Sequence, residues 1–521
     1  MSPDHKAAAG EPQPIVVHPA VNGEIGTEPL PEWPEPRPLL TVRDTAPADA
    51  PVAPVAPVTK SESRRAHSLD ALRGLFLVSM TLGFALRGQD YPVWMYHRQM
   101  PPPDFSVVPI AGLGWRDLAY GAFLFTMAAA LPLTLSRRIA KGETEIAVML
   151  GAIKRYALLL FFALLVGHSN TYFTGYTQTS RVIGLVGLVA MGLVFTRKKA
   201  DWGERTYSLV HRFGWVFAIA FLALSPLAYG QTFSFTRIDD VIAGLAFASL
   251  AGIVVWYFTR ENLVARLAVL AFAVALFLGS RDDGWLQQWW WSSPAPWAFA
   301  PSRLALLTIV IPGTIAGDAV LRWMNSTETQ ALSWGRGRML GLAALAAAFT
   351  PLLVVGTYTR EVHIATQLCI AMTIGGALLT MRPATSVERA VRSLFLWGAA
   401  WILLGMFMEP FQGGIKKVPE TLSYFFTVAG ITTMLLVSLM VLVDGLGRKR
   451  GTSALIDVGH NPLLMYVVLS VGITCALELI EPLRGVMRGS PWTSFARSAI
   501  ETAMAVLIVR YVTHRRVYWR T

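Results

Sequence analysis

The sequence predicts an all-α fold, a polytopic transmembrane helical bundle of about 11–14 spans. Hydrophobic residues make up 54% of the 521 residues and charged residues only 15%, whereas a soluble domain carries about 25% charged residues. Apolar runs of about 17 to 22 residues recur along the chain, and each is long enough to cross about 30 Å of hydrocarbon as a helix. Alternating segments typical of a membrane β-barrel are absent. Helices are therefore the predicted elements.

Three segments are predicted. Residues 1–62 are rich in Pro, Ala, Glu and Val, as in PVAPVAPV at Pro51–Val58, and cannot bury enough apolar surface to fold, so we expect a disordered cytoplasmic tail. This segment lacks the basic start and apolar core of a signal peptide. Residues 63–515 form the predicted membrane domain, and residues 516–521 a cytoplasmic C-terminal tail.

The candidate spans are the apolar runs along residues 63–515. Their centres fall near residues 78, 126, 158, 189, 219, 249, 270, 312, 348, 372, 400, 433, 470 and 504. The run near residue 270 is rich in Ala and follows its neighbour closely, so the sequence leaves the exact number of spans open.

Lys and Arg cluster in alternate loops, and all these clusters fall on one side of the membrane if the number of spans is even. The positive-inside rule then places both termini in the cytoplasm. The net charge of +12 thus reflects topology, and nucleic acid is not an expected partner. The clusters are Arg64 and Arg65, Arg137 to Lys141, Arg197 to Lys199, Arg260 and Arg266, Arg336 and Arg338, Arg382 to Arg392, Arg448 to Arg450, and Arg515 and Arg516.

The loops predicted on the other side are aromatic, polar and rich in turn residues. Trp289, Trp290 and Trp291 lie in one of them, and two interpretations stay open. Trp favours the membrane interface, but its ring also offers an apolar face to a sugar. The four loops are Tyr91–Phe105, His168–Ser180, Asp282–Trp297 and Glu409–Thr421.

The first two spans and their connection form the predicted catalytic unit. A charged entry, RAHSLDALRG at Arg65–Gly74, leads into the first span. The connecting loop Tyr91–Phe105 holds His97, and the second span opens with Trp-Arg-Asp-Leu within Gly114–Arg138.

These segments resemble the opening of the heparan-alpha-glucosaminide N-acetyltransferase family and its bacterial relatives. Four further motifs over roughly residues 64–515 resemble the bacterial branch: HRQMPPP at His97–Pro103, IPGTIAGD at Ile311–Asp318, GGIKKVPETLSY at Gly413–Tyr424 and GHNPLLMY at Gly459–Tyr466. The family usually has a Phe-Pro pair where this chain has Ala119, Tyr120 and Gly121, which leaves the local helix shape open.

The resemblance implies an activity, a co-substrate and a location. Proteins of this family move an acetyl group from acetyl-CoA on one side of the membrane to a sugar amine on the other. The expected partners are therefore acetyl-CoA as co-substrate, an amino sugar or glycan acceptor, and membrane lipid, without a metal. The expected location is the bacterial inner membrane. The sequence does not decide the oligomeric state, and a homodimer is one option.

His97 and Asp117 are the catalytic candidates. An imidazole with a pKa of about 6.5 suits a general base and can also accept an acyl group as a nucleophile. Prolines on both flanks restrict the loop around His97; the alternative is an interfacial His bonded to a backbone carbonyl. The resemblance implies an active His in this loop. Asp117 either orients His97, binds the acceptor amine, or is an acid favoured at a helix start.

The cofactor-binding candidates are Ser68, Asp70, Arg73, His460 and Asn461. Asp70 and Arg73 are spaced to pair along one helix, with Ser68 as its cap. Alternatively, Arg73 faces the phosphates of CoA, a task suited to guanidinium. His460 and Asn461 begin another span at the same membrane face, where Asn461 is also a candidate cap.

The substrate-binding candidates are Trp94, Arg98, Gln99, Lys416 and Lys417. The two lysines lie in a predicted outer loop, against the positive-inside rule, and either bind an anionic sugar or face solvent.

Asp318 follows a run that contains Pro312, Gly313 and Gly317. The sequence predicts a break there that lines a cavity.

Two functions of different classes remain. The first is a membrane-embedded acyltransferase that uses acetyl-CoA, and the second is a secondary transporter or a lipid-linked glycan flippase without acyl-transfer chemistry. Transporters often consist of two related halves; no internal repeat is evident, and the loop around His97 has no counterpart in the second half. Motifs of serine hydrolases, zinc proteases and P-loop enzymes are absent. Cys369 and Cys475 lie in apolar runs and are predicted to be core residues.

Overall fold

The computed structural model describes residues 65–86, 91–102, 104–198, 201–327, 332–487 and 490–521. The tail predicted over residues 1–62 lies outside the described residues. The described residues form helices joined by loops, with one isolated β-bridge between Thr196 and Trp519. The prediction of an all-α, polytopic helical bundle is confirmed.

The bundle is built from long helices with a few short ones between them. In chain order they are α1 (His67–Ala85), α2 (Asp117–Ala140), α3 (Glu145–Ser169), α4 (Gln178–Phe195), α5 (Glu204–Ala228), α6 (Asp240–Thr259), α7 (Leu263–Gly279), α8 (Trp285–Trp291), α9 (Leu307–Met324), α10 (Arg336–Tyr358), α11 (Val362–Leu379), α12 (Ser386–Met408), α13 (Leu422–Leu439), α14 (Ser453–Gly459), α15 (Pro462–Val467) and α16 (Pro491–His514). A 3₁₀ turn, Pro301–Leu306, precedes α9, and a π-helical turn continues α13 to Gly445. A second π-helical turn, Val468–Ile473, joins α15 to the helical segment Thr474–Leu479, so this span runs from Pro462 to Leu479.

Twelve helices of the described ranges are long and apolar enough to cross a membrane. Helix α7, the run near residue 270, has only 17 residues, and α16, the run near residue 504, is long but less apolar. Together these account for the fourteen runs in the sequence.

Helices α2, α9 and α13 lie at the centre of the bundle, where most of their residues are buried. The backbones of α2 and α9 touch, because a Cβ atom built on Gly317 would lie 2.3 Å from the carbonyl oxygen of Ala129 and one on Gly313 2.7 Å from that of Phe125. Small residues four apart permit such close packing of helices in a membrane.

The prediction that Ile311–Asp318 is broken and lines a cavity is wrong. Helix α9 is continuous through Pro312, and its glycines face α2. The Asp318 carboxylate accepts hydrogen bonds from Arg266 and from the Trp256 indole. Asp318 thus neutralises a cation buried inside the bundle.

Helix α2 is regular at Ala119, Tyr120 and Gly121, the residues that stand in place of the Phe-Pro pair of the similar family. It runs unbroken from Asp117 to Ala140. A Cβ atom on Gly121 would lie 2.9 Å from Val428 Cγ1 and 3.0 Å from Ile309 Cδ1, so this glycine allows α13 and α9 to approach.

Helix α1 has Asp70 in its first turn, and the chain beyond its last turn carries His97. These two residues therefore mark opposite ends of the bundle, here named the Asp70 end and the His97 end. Ser68 is not the cap expected from the sequence, because it lies inside the first turn; its backbone N–H donates instead to the Asp444 carboxylate at 3.2 Å.

The C-terminal residues fold back onto the Asp70 end. The Asn461 side chain accepts from the backbone N–H of Trp519 at 3.0 Å and donates to the Val517 carbonyl at 2.9 Å. The Arg197 N–H donates to the Tyr518 carbonyl at 2.8 Å. Residues 517–520 are thus packed on the bundle, and Asn461 holds them rather than capping α15 with its side chain.

Candidate functional site

His97 and Asp117 form a hydrogen-bonded pair at the His97 end. The Nδ1 atom of His97 lies 2.7 Å from Oδ1 of Asp117. The other carboxylate oxygen accepts from the backbone N–H groups of Gly114 at 2.7 Å and Arg98 at 3.3 Å. The Asp117 side chain is fully buried, whereas that of His97 is 27% exposed. With Nδ1–H directed at Asp117, Nε2 is the ring nitrogen that remains for a substrate.

His97 is neutral at physiological pH. Burial, and then the positive charge of the nearby Lys417, lower its pKa to about 4, although the hydrogen bond to Asp117 opposes both effects. This value differs from the ordinary imidazole pKa expected from the sequence, because the sequence does not reveal the burial of the ring. Burial also lowers the pKa of Lys417, while Asp117 raises it.

Gln99 joins the loop of His97 to the loop of Lys417. Its buried Nε2 donates to the carbonyls of Ile110 and Gly112, both at 2.9 Å, and its Oε1 accepts from the backbone N–H of Lys417 at 3.2 Å. The Gly112 N–H donates to the Ile415 carbonyl at 2.8 Å. Gln99, a substrate-binding candidate, thus uses its amide to connect two loops.

A cavity of about 650 Å³ opens beside Lys417, and its size suits a small-molecule ligand. We call it the Lys417 cavity. Its charged and aromatic lining consists of Tyr120, Asp240, Phe277, Arg281, Trp290, Trp291, Arg303, Lys417 and Glu420. Trp290 and Trp291 belong to the Trp289–Trp291 run, whose sequence is compatible with both interface anchoring and sugar stacking.

Most charges in the Lys417 cavity are held by protein partners. Arg303 Nη2 lies 2.7 Å from Asp240 Oδ1. Arg281 donates to the backbone carbonyl of Glu420 at 2.6 Å, and its guanidinium lies 4.5 Å from the centre of the Phe277 ring. Burial, and then the negative charge of Asp240, raise the pKa of Glu420 to about 7.

Four charged residues of the Lys417 cavity are not among the candidates that the sequence suggests: Glu420, Asp240, Arg281 and Arg303. Glu420 lies three residues after Lys417, inside the quoted segment Gly413–Tyr424, and that proximity was the available signal. Asp240, Arg281 and Arg303 lie just at or beyond helix ends, where charged residues are common, so only the fold brings them together.

At the Asp70 end, a cavity of about 330 Å³ is lined by Asp70, Arg73 and His460. We call it the Arg73 cavity. Asp70 lies 3.0 Å from His460 Nε2 and 3.5 Å from Arg73 Nη1, which also donates to the Gly459 carbonyl at 3.2 Å. The structure thus joins these three cofactor-binding candidates, whereas Ser68 and Asn461 make the backbone contacts described above.

Arg155 extends the basic surface at the Asp70 end. It lines the Arg73 cavity together with Arg520, and both also line a neighbouring cavity of about 610 Å³ that contains Lys154 and Arg197. Lys154 and Arg155 lie inside α3. Cations within a membrane helix are costly and often functional, so their position in an apolar run was a signal in the sequence.

Helix α2 connects the two cavities. Tyr120 lines the Lys417 cavity, whereas Phe123, Met127 and Thr134 line the Arg73 cavity. The space between the cavities is tightly filled, because a Cβ atom on Gly244 of α6 would lie 2.4 Å from the Tyr120 hydroxyl.

The remaining substrate-binding candidates do not line the Lys417 cavity. Trp94 is 51% exposed on a 3₁₀ turn. The Arg98 guanidinium lies 4.1 Å from the centre of the Tyr358 ring. The backbone N–H of Lys416 donates to the Thr421 hydroxyl at 3.1 Å. Within the described ranges, no group of three or more His, Cys, Asp and Glu residues has the geometry of a metal site.

Residues 65–320 match a family model described as a domain of unknown function (DUF5009). The matched part contains α1 to most of α9, and with them His97, Asp117, Asp70 and Arg73. Lys417, Glu420 and His460 lie outside it. None of the curated proteins matches the sequence.

Proposed function

We propose that the protein is a membrane-embedded acyltransferase that moves an acetyl group from acetyl-CoA, bound at the Asp70 end, to the amine of an amino sugar or glycan at the His97 end. The observation that carries this proposal is the 2.7 Å contact between His97 and the buried Asp117, at the opposite end of α2 from a basic cavity. The basic loops gather at the Asp70 end, which we assign to the cytoplasm of a bacterial inner membrane.

The chemistry at His97 follows from its hydrogen bond to Asp117. The carboxylate fixes the tautomer and the ring orientation, so the Nε2 lone pair is available. Nε2 either takes the proton of the acceptor amine during direct transfer or attacks the thioester and carries the acetyl group. In the second route the C–S bond breaks, the thiolate leaves, and the amine then displaces the imidazole.

Lys417 is suited to stabilise the negative charge that develops on the acetyl oxygen. Its charge acts on both His97 and Asp117, so its ammonium is near the reacting group. A preorganised cation in a water-poor site stabilises an oxyanion strongly. The Gln99 hydrogen bond to the Lys417 backbone keeps the two loops in register.

The Arg73 cavity is suited to the phosphates of acetyl-CoA. Arg73, Arg155 and Arg520 line it, and guanidinium groups bind phosphate well. The acetyl-bearing arm would then extend along α2 past Phe123 towards Tyr120.

A secondary transporter or lipid-linked glycan flippase is the second candidate. Two cavities lined by opposite ends of one helix, with Tyr120 packed closely against Gly244, are also an arrangement that fits alternating access. This function needs neither the orientation of His97 by Asp117 nor acetyl-CoA.

The deciding experiment measures thiol release from acetyl-CoA by the purified protein in nanodiscs, with glucosamine as acceptor and mass spectrometry of the product. We expect N-acetylglucosamine and free CoA in equal amounts, and loss of both in His97→Ala. Uptake of glucosamine into proteoliposomes without thiol release would instead support the transporter.

A further inference from the structure

The Glu420 carboxylate differs from the other charged groups of the Lys417 cavity. Within the part of the chain that the structure describes, no hydrogen bond or ion pair engages its side chain, although its backbone carbonyl accepts from Arg281. Asp240, by contrast, pairs with Arg303 at 2.7 Å. A partly buried carboxylate that makes no hydrogen bond or ion pair is costly, so a ligand cation that contacts it would offset part of this cost.

The geometry points to Glu420 as the group that receives the ammonium of the acceptor and removes one of its protons. The inference rests on the proposed function and deepens it, because it names a primary ammonium in its protonated form as the feature recognised. Trp291, 71% exposed on the wall of the same cavity, is an aromatic side chain against which the sugar that carries this group would pack.

Charged groups of both signs surround Glu420. Asp240 of α6 adds negative charge, while Lys417 of the same loop, Arg303 before α9 and Arg281 after α7 add positive charge. The charge of Glu420 also acts on the hydroxyls of Tyr120 of α2 and Tyr424 of α13. Because burial is the largest effect and raises the pKa of Glu420 to about 7, its carboxylate gains and loses a proton near neutral pH, which suits a general base.

The proton balance is complete with Glu420 in place. An ammonium ion cannot attack a carbonyl because it has no lone pair. Transfer of one proton to the Glu420 carboxylate gives a neutral amine and a carboxylic acid. The amine nitrogen then bonds to the acetyl carbon as the bond to sulfur or imidazole breaks. Its second proton passes to His97 and on to the leaving thiolate, while Glu420 returns its proton to the solvent at the His97 end.

The test compares the parent with Glu420→Gln and Glu420→Asp in nanodiscs, using glucosamine as the probe between pH 5 and 9. The control is Asp283→Asn, which removes an exposed carboxylate that does not line the cavity. We expect the parent rate to rise with pH through about 7. In Glu420→Gln this rise should vanish and the KM for glucosamine should increase about 10- to 100-fold. Glu420→Asp should retain the rise, and Asp283→Asn should equal the parent.

A binding measurement separates this inference from the proposed function. Isothermal titration without acetyl-CoA would report the binding of glucosamine, and of glucose, which lacks the cation. Preference for glucosamine in the parent and its loss in Glu420→Gln support the inference even if no acetyl transfer is found. Acetyl transfer with an unchanged KM and pH profile in Glu420→Gln would overturn the inference and leave the acyltransferase proposal standing.

Discussion

The Nδ1 atom of His97 and the Oδ1 atom of Asp117 lie 2.7 Å apart, although 20 residues separate them in the chain. The loop between them turns back over the end of α2, where Gly114 and Arg98 donate backbone hydrogen bonds to the second oxygen of the same carboxylate. A carboxylate with this number of donors has little freedom, so the imidazole it holds is fixed as well.

Removal of the His97 ring should be the most damaging single change for activity. General base catalysis is worth about 10² to 10⁴ in rate, so His97→Ala should lower kcat by this factor while acetyl-CoA still binds at the other end of α2. Asp117→Asn should cause a loss of similar size, because the ring would no longer be held in the required tautomer. Isothermal titration with CoA and initial-rate kinetics would measure both effects.

Asp104 supplies the control for these variants, because it is an exposed carboxylate in the same loop. Asp104→Asn should retain parent activity. If His97→Ala keeps more than about a tenth of the parent rate, far above what loss of a general base leaves, His97 is not the catalytic group.

Replacement of Arg73 should weaken the binding of acetyl-CoA more than it slows the chemical step. Arg73→Ala should raise the KM for acetyl-CoA more than it lowers kcat, because it removes an interaction that stabilises the ground state and the transition state by the same amount. Arg155→Gln should act in the same direction, since Arg155 lines the same cavity. Lys141→Ala, an exposed cation beyond the end of α2, is the control. An unchanged KM in folded Arg73→Ala would identify Arg73 as a partner of Asp70 alone.

Gln99 should be required for the register of the two loops. Gln99→Leu leaves two buried carbonyls and one N–H without a partner, and each such group costs about 1 to 3 kcal/mol. Hydrogen–deuterium exchange should therefore quicken at Gly112 and Lys417, while the amides of α9 keep their protection. Unchanged exchange at both sites would show that the loops hold together without this side chain.

Close packing of α2 and α9 can be tested with a pair of glycines. Gly317→Ala should destabilise the protein by about 1 to 3 kcal/mol, because overpacking forces the helices apart. In Gly341→Ala the new methyl group meets nothing within 4 Å, and the variant should be neutral or slightly stabilised, since Ala favours helix over Gly. Thermal unfolding in detergent would compare the two variants. Equal midpoints would contradict the contact.

Cysteine labelling can determine which end of the bundle faces the cytoplasm. Gln99 is fully buried, so exposed Asp104 is the better site in its loop, and Lys141 is the better site at the opposite end. A membrane-impermeant maleimide should label Asp104→Cys on intact cells and Lys141→Cys only after lysis. Cys369 and Cys475 are buried and should contribute little background. The reverse pattern would invert the assignment of the two ends.

Periodic apolar runs and the position of basic loops are local features, and they sufficed to predict the helical bundle. The sequence offered the pairing of His97 with Asp117 as one alternative, because the loop that holds His97 precedes the span in which Asp117 lies. The sequence did not predict the contacts of Glu420, Arg303 and Arg155, because these residues meet their neighbours only through the packing of helices that are distant in the chain. The same limit explains Asp318: a Pro and two glycines in one run resemble a broken helix until the neighbouring backbone that requires those glycines is known.

The course of α2 also sets a length. Fourteen residues separate Tyr120 from Thr134, which at about 1.5 Å per residue places the two lining positions about 21 Å apart. Under the proposed function, α2 sets the minimum length of the donor. A thioester donor must reach across this distance while its phosphates stay bound to the arginines of the Arg73 cavity. Truncated donors such as N-acetylcysteamine thioesters could occupy either cavity but could not connect the two. The bundle would therefore select donors by their length rather than by their acyl group.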